Sequence, residues 1–151
     1  MIISFVGHAN IPSNPKIKNI LKNQLENNIK SDEPIICYLG GYGNFDDLCT
    51  RLCKELKETY NNIEIVYVSP YITSKQLKNQ ETQNLNYFDY SIYPPIENTP
   101  PKFAISKRNE WMIDKSDLVM AYVQHNFGGA YKSLLIAKRK KKKIINIYDL
   151  I

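Results

Sequence analysis

Apolar residues follow two rhythms along this chain. Continuous apolar runs at Ile2-Ile3-Ser4-Phe5-Val6, Ile35-Ile36-Cys37-Tyr38-Leu39, Ile63-Glu64-Ile65-Val66-Tyr67-Val68, Leu118-Val119-Met120-Ala121-Tyr122-Val123 and Ile144-Ile145-Asn146-Ile147-Tyr148 predict five buried strands. Between them the spacing turns helical. After Ser13-Asn14-Pro15, a capping residue followed by proline near the first helical position, Ile17, Ile20, Leu21, Leu25 and Ile29 recur on one face. Phe45, Leu48, Cys49, Leu52, Cys53 and Leu56 mark a second helix, and Thr99-Pro100-Pro101 opens a third through Ala104, Arg108, Met112 and Lys115. Tyr131, Leu134, Leu135 and Lys138 mark a fourth. Alternating helices and strands, with strands apolar on both faces, predict an α/β domain. It is a Rossmann-like, open, mostly parallel sheet of about five strands with helices on both faces, and one such domain spans 1–151.

Residues 70–100 break the alternation. The stretch is polar, carries Tyr71, Tyr87, Phe88, Tyr90 and Tyr93, and ends in two proline pairs, so it reads as a long loop or lid with a short helix around Ser74–Gln80.

Composition narrows the class. With 43% hydrophobic and 23% charged residues the chain can bury a core, which excludes disorder as a description of the whole. No apolar run approaches the ~18 residues of a membrane span, and the opening residues lack the basic region of a signal peptide. A cytoplasmic protein without membrane contact is expected. The net charge of +5 is local: Lys138-Arg139-Lys140-Lys141-Lys142-Lys143 holds six of the 20 basic residues, and the remainder, with 15 acidic residues, is close to neutral. That run is a solvated helix end or a patch for nucleic acid or another anionic partner, the first being favoured because no aromatics interleave with it. Cys37, Cys49 and Cys53 lack the spacing and companions of a zinc site and read as small core residues, so no metal and no cofactor are expected.

In sheets of this kind ligands bind beyond the carboxyl ends of the strands. The exits here are Gly7-His8, Gly40-Gly41-Tyr42-Gly43, Ser69-Pro70-Tyr71 and Asn126-Phe127-Gly128-Gly129. Two of the glycine turns lead into helices, whose starts present unpaired N–H groups to an anion such as phosphate. Arg108 shares a helical stripe with Ala104 and Met112, and a buried guanidinium needs an anion, either a ligand phosphate or a carboxylate such as Asp46 or Asp114. Asp46 and Asp47 either favour the helix dipole or, at Asp46, accept from a ribose hydroxyl or hold Arg108. His8 either donates to phosphate or packs against a neighbour, and His125 reads as a surface residue. Tyr71 and the 87–93 aromatics either stack on a base or build a subunit interface. Trp111 belongs to the core or to such an interface.

Three segments in this order carry a resemblance: Leu39-Gly40-Gly41-Tyr42-Gly43-Asn44-Phe45-Asp46, then Arg108-Asn109 with Met112, Asp114, Ser116 and Asp117, then Gly128-Gly129-Ala130. Together they resemble the SLOG superfamily, closest to its short YpsA-like group, and Gly7-His8 is similar to that group's Gly-His-Arg opening. The resemblance implies a Rossmann-like domain that binds nucleotides or nucleotide-derived ligands. Relatives include the Lonely Guy phosphoribohydrolases, DNA-processing protein A and antiviral modules that sense NAD-derived cyclic nucleotides. Relative to the phosphoribohydrolases, Tyr131 and Lys132 stand where Gly and Thr belong, and the supporting glutamate has no counterpart. Position 9 is alanine rather than arginine.

The resulting expectation is a protein, homo-oligomeric by family habit, that binds a nucleotide or NAD-derived signalling ligand without turnover, as a sensor or by sequestration. Gly7, His8, Gly40, Gly41, Tyr42, Gly43, Asn44, Asp46, Tyr71, Arg108, Asn109, Gly128, Gly129 and Ala130 are its candidate binding residues. The enzymatic alternative is cleavage of an N-glycosidic bond in a nucleoside monophosphate, with Asp46, Glu110 or Asp114 replacing the missing carboxylate. A third alternative is nucleic-acid binding through the lysine run.

Overall fold

The structure, a computed structural model, describes residues 1–29, 32–71 and 87–151. Six strands form one sheet: β1 (Ile2–Gly7), β2 (Ile35–Leu39), β3 (Ile63–Val68), β4 (Tyr90–Ile92), β5 (Leu118–Tyr122) and β6 (Lys143–Asn146). Every pairing is parallel, in the order β4-β3-β2-β1-β5-β6. The described helices are α1 (Pro15–Ile29), α2 (Gly43–Lys57), α3 (Ala104–Lys115) and α4 (Gly128–Arg139).

The two-residue period of the strands sorts the helices onto opposite faces. Ile3 and Phe5 of β1, Cys37 and Leu39 of β2, and Leu118 and Met120 of β5 bury against Ile17, Leu21 and Leu25 of α1 and Phe45, Cys49 and Leu52 of α2. The intervening residues face the other way. Val6, Val119 and Ala121 meet Ile113 of α3 and Leu134 and Ala137 of α4, while Tyr38, Val66 and Val68 meet Met112 of α3. All three cysteines are free and buried on the first face. Trp111 stacks on Tyr38 with ring centroids 5.6 Å apart, which puts it against the core.

Local signals set the element ends. Asn14 Oδ1 accepts the Lys16 N–H at 3.0 Å, capping α1 directly before Pro15. At the other end of the molecule α4 closes in a Schellman turn: Lys142 N–H donates to Ala137 O and Lys141 N–H to Lys138 O. Lys141 occupies the left-handed position with φ 57°.

Three expectations change. The segment expected to be a long loop or lid with a short helix contains β4, which pairs with β3 directly after Asp89: the Asp89 N–H donates to Ile65 O, and its carboxylate accepts the Ile65 N–H at 2.8 Å and pairs with Lys57. Three residues are too few to show a period, so tertiary contacts decide this strand. The final strand ends at Asn146 rather than Tyr148, and Ile147–Leu150 forms a 3-10 turn that buries Ile147. The third helix begins as a 3-10 turn at Pro101–Phe103 before becoming α-helical at Ala104. The short helix expected around Ser74–Gln80 lies outside the described residues.

Candidate functional site

Chain order reverses at β1: β2, β3 and β4 extend the sheet to one side, β5 and β6 to the other. Connections therefore diverge above the carboxyl ends of β1 and β5, leaving a crevice there. A cleft of about 250 Å³ fills it, lined by Phe5, Val6, Gly7, His8 and Ala9 of β1 and its exit, Tyr42 and Asp46, Ile105, Arg108 and Asn109 of α3, and Gly129, Ala130 and Ser133 of α4. Both glycine-rich turns contribute, but their strands are not neighbours, since β1 lies between β2 and β5.

The two turns are chemically unlike. At the first, the protein's own carboxylate occupies the helix start. Asp46, 8% exposed, accepts the Tyr42 N–H at 3.3 Å, and the Gly40 backbone also stabilises its charge. The Asn44 N–H donates to Ala9 O at 2.7 Å, and the Asn44 side chain is exposed. Gly43, with φ +89°, lies where an added Cβ would come within 2.6 Å of the Ala9 Cα. This turn is closed against the β1 exit. The second turn is open: among the described residues no side chain caps the start of α4, and a Cβ added to Gly128 or Gly129 would meet nothing within 4 Å. The leading N–H groups of that helix have no intrahelical acceptor. Gly129, Ala130 and Ser133 share the helix face that borders the cleft.

Arg108 lies beneath, 2% exposed. Its Nε donates to Asn109 Oδ1 at 2.8 Å, and Nη1 donates to Gly40 O at 3.1 Å and Val68 O at 2.8 Å. Nη2 donates to no described residue. Asp46 and Arg108 feel each other's charge without an ion pair closer than 4 Å. Gly40 is required by this packing, because a Cβ there would come within 2.8 Å of the guanidinium. Burial raises the Asp46 carboxyl to about pKa 6 despite the opposing pull of Arg108 and the Tyr42 and Gly40 backbone. Burial also lowers the Arg108 value, against the field of Asp46.

His8 has a different task from phosphate donor through Nε2. That atom accepts the Gln124 N–H at 2.9 Å and the His125 N–H at 3.2 Å. Burial and the neighbouring His125 both lower its pKa. Gly7 lines the cleft and also makes room for α2, since a Cβ there would overlap the Phe45 ring at 2.3 Å.

Other candidates lie elsewhere. Glu110 is half-buried and pairs with Lys107 at 3.6 Å, and Asp114 pairs with Lys140 at 3.0 Å at the amino edge of the sheet. Tyr71 hydrogen-bonds with Ser69 and lies within reach of the field of Arg108, though outside the residues that line the cleft. Phe88 packs on Tyr67 at 5.4 Å and Tyr90 donates to Glu64 at 2.9 Å, so these aromatics build the β3–β4 edge. Of the exposed aromatics at the two glycine turns, Tyr42, 59% exposed, lines the cleft, and Phe127, 68% exposed, is the residue from which α4 starts. The sequence reading did not single out Phe127, Ile105 or Ser133. Ser133 was within reach of helical arithmetic, four residues after Gly129. Among the described residues, no group of three or more His, Cys, Asp or Glu is placed to hold a metal ion, and no helix is long and apolar enough to cross a membrane.

Comparison with known proteins agrees with this architecture. The family model YpsA, described as the YspA SLOG family, matches residues 7–150. No curated protein matches the chain. Among solved structures, the chain is similar to DNA processing protein A from Helicobacter pylori, described by its single-stranded DNA binding mode. That match has TM-score 0.61 and 16% identity, covering 95% of this chain and 63% of that one. DNA processing protein A from Streptococcus pneumoniae gives TM-score 0.61 at 12% identity, covering 94% of this chain and 48% of that one. The molybdenum cofactor binding protein from Rippkaea orientalis gives 0.59 at 15% identity, with coverage of 96% and 74%. The chain thus spans less than two thirds of either DNA processing protein, and at these identities the likeness is one of fold.

Proposed function

The chain belongs to the SLOG family, and on that footing we propose that its cleft binds a nucleotide or NAD-derived nucleotide and holds it without turnover, as a sensor or by sequestration. The observation that carries this reading is the sterically open start of α4, capped by no described side chain, in the same cleft as a buried arginine whose Nη2 donates to no described residue. Backbone N–H groups with a partial positive charge suit a phosphate, and a guanidinium shielded from water strengthens that preference. The first turn takes the opposite role. With Asp46 already on its N–H groups it would repel a second phosphate and accept from a ribose hydroxyl, while Tyr42 and Phe127 offer faces for a base. The reading therefore differs from a pair of equivalent phosphate cradles: one end takes the anion and the other takes the sugar.

A thermal-shift panel of adenine and guanine nucleotides, ADP-ribose and cyclic derivatives tests this. A ligand at ~100 times its Kd adds ~2.7 kcal/mol of stability and raises Tm by several degrees. Gly129→Leu should abolish that shift while leaving the melting of the free protein nearly unchanged, because the space it fills is empty. A panel with no shift, or a shift that survives Gly129→Leu, overturns the proposal.

One observation favours the enzymatic reading as a second possibility. Of its three candidate carboxylates, Asp46 alone borders the cleft, and it holds its proton up to about pH 6. Incubation with nucleoside monophosphates followed by assay for free base separates the two: base in excess of protein means turnover, and intact ligand recovered from the denatured protein means binding alone. Nucleic-acid binding through residues 138–143 would use a different surface, since Lys140 and Lys142 are tied to Asp114 at the amino edge of the sheet.

A further inference from the structure

The exit of β5 is held by side chains standing in for strand partners. On one side Asn146 of β6 forms a reciprocal pair with Val123: its Oδ1 accepts the Val123 N–H and its Nδ2 donates to Val123 O, both at 3.0 Å. On the other side β1 has run out of ladder. Its last pairing with β5 is Gly7 with Tyr122, followed by a final backbone bond from His8 N–H to Tyr122 O at 3.2 Å. From there the His8 imidazole continues the ladder, Nε2 accepting the next two N–H groups of the β5 exit. The His125 ring lies 4.8 Å from His8 and stacks on Phe127 at 5.1 Å, and Phe127 is the residue from which α4 starts.

We propose that His8 is a positioning residue: as the neutral Nδ1–H tautomer it latches Gln124 and His125, aims the open start of α4 into the cleft, and releases it when protonated. This rests on the reading of the cleft as an anion site. A histidine accepting at Nε2 must carry its proton at Nδ1. Protonating Nε2 would put an N–H against two N–H donors, so both bonds are lost together. The groups facing His8 are His125 and Tyr122 from β5 and its exit, and Asp46 of α2 and Arg108 of α3 across the shared cleft; α4 brings no acidic residue in its first turn. Among the described residues, a protonated His8 thus gains no carboxylate in hydrogen-bond contact to offset the lost bonds. Burial and His125 favour the neutral form, so the latch is closed at neutral pH and opens on acidification.

The direction of the pH response separates a latch from a direct contact. A histidine that touched the anion would bind it more tightly once charged, whereas a latch binds it less tightly. The probe is sulfate, whose charge is constant over the range, titrated into wild type, His8→Gln and His8→Ala between about pH 7.5 and about pH 5. Wild type should lose about tenfold in affinity on acidification, consistent with two lost hydrogen bonds. His8→Gln, whose amide oxygen accepts without titrating, should keep neutral-pH binding and lose this pH dependence, while His8→Ala binds weakly throughout. Asp46 titrates in the same range, but its contribution is common to wild type and His8→Gln and cancels in their difference. Two readouts need no ligand: ¹⁵N shifts should report the Nδ1–H tautomer, and amide exchange at Gln124 and His125 should be slow in wild type and His8→Gln and fast in His8→Ala. An Nε2–H tautomer, no rescue by glutamine, or affinity that rises on acidification through His8 overturns the latch. Absence of sulfate binding at every pH, with tautomer and exchange as expected, instead overturns the anion site and leaves the latch standing.

Discussion

At Asp46 the fold carries a carboxylate that destabilises it at neutral pH. The folded chain holds this proton up to about pH 6, well above the ordinary carboxyl value of 3.8. Between those values the folded state binds more protons than the unfolded one, so this group's contribution to stability falls as pH rises from about 4 to about 6. The loss is on the order of 2–3 kcal/mol. Denaturant unfolding across that window should show the decline in wild type and its absence in Asp46→Asn. His8, with its lowered pKa, tilts the same window the other way, and the difference between the two proteins removes it. A carboxylate kept at such a cost, at the edge of a cleft, supports the binding role proposed for it. The sequence offered Asp46 two roles, helix dipole or ligand. It could not decide between them, because the deciding facts are the burial and the backbone donors of Gly40 and Tyr42, which only the folded chain brings together. The same holds for Arg108. Its stripe with Ala104 and Met112 revealed burial, but its acceptors proved to be the carbonyls of Gly40 and Val68 and the Asn109 side-chain oxygen rather than a carboxylate.

At the scale of elements, legibility followed length. The five longer apolar runs became strands and the four periodic stretches became helices. Three-residue β4 and the bend at Ile147 escaped, because the side chain just before each, Asp89 in one case and Asn146 in the other, bonds to the backbone of a strand distant in sequence. The two helix starts at the glycine turns looked alike in sequence, and the difference between them, closed at α2 and open at α4, comes from Asp46 and Ala9. The end of α4 supports a prediction of its own. Lys141 sits at φ 57° in a position that glycine adopts without strain. Lys141→Gly should therefore raise stability by about 1 kcal/mol despite removing a side chain, as read by denaturant unfolding, since Lys141 makes no ion pair among the described residues.

Across the whole molecule, parallel topology separates two kinds of surface. All strands point the same way, so the cleft gathers at their carboxyl ends while the lysine turn between α4 and β6 lies at their amino ends. Replacing Lys138, Lys141 and Lys143 together by glutamine should leave nucleotide binding within about twofold, since charges more than a Debye length of roughly 8–10 Å away are screened at ordinary salt. Any affinity for nucleic acid should fall with the same change, and its dependence on salt should flatten. A shared loss of both activities would mean that the ends communicate. The flanks of the sheet carry a consequence for self-association. Its border strands number three residues in β4 and four in β6, too brief a ribbon for a second copy to extend by backbone pairing. Copies that associate would meet through helical flanks or loop aromatics.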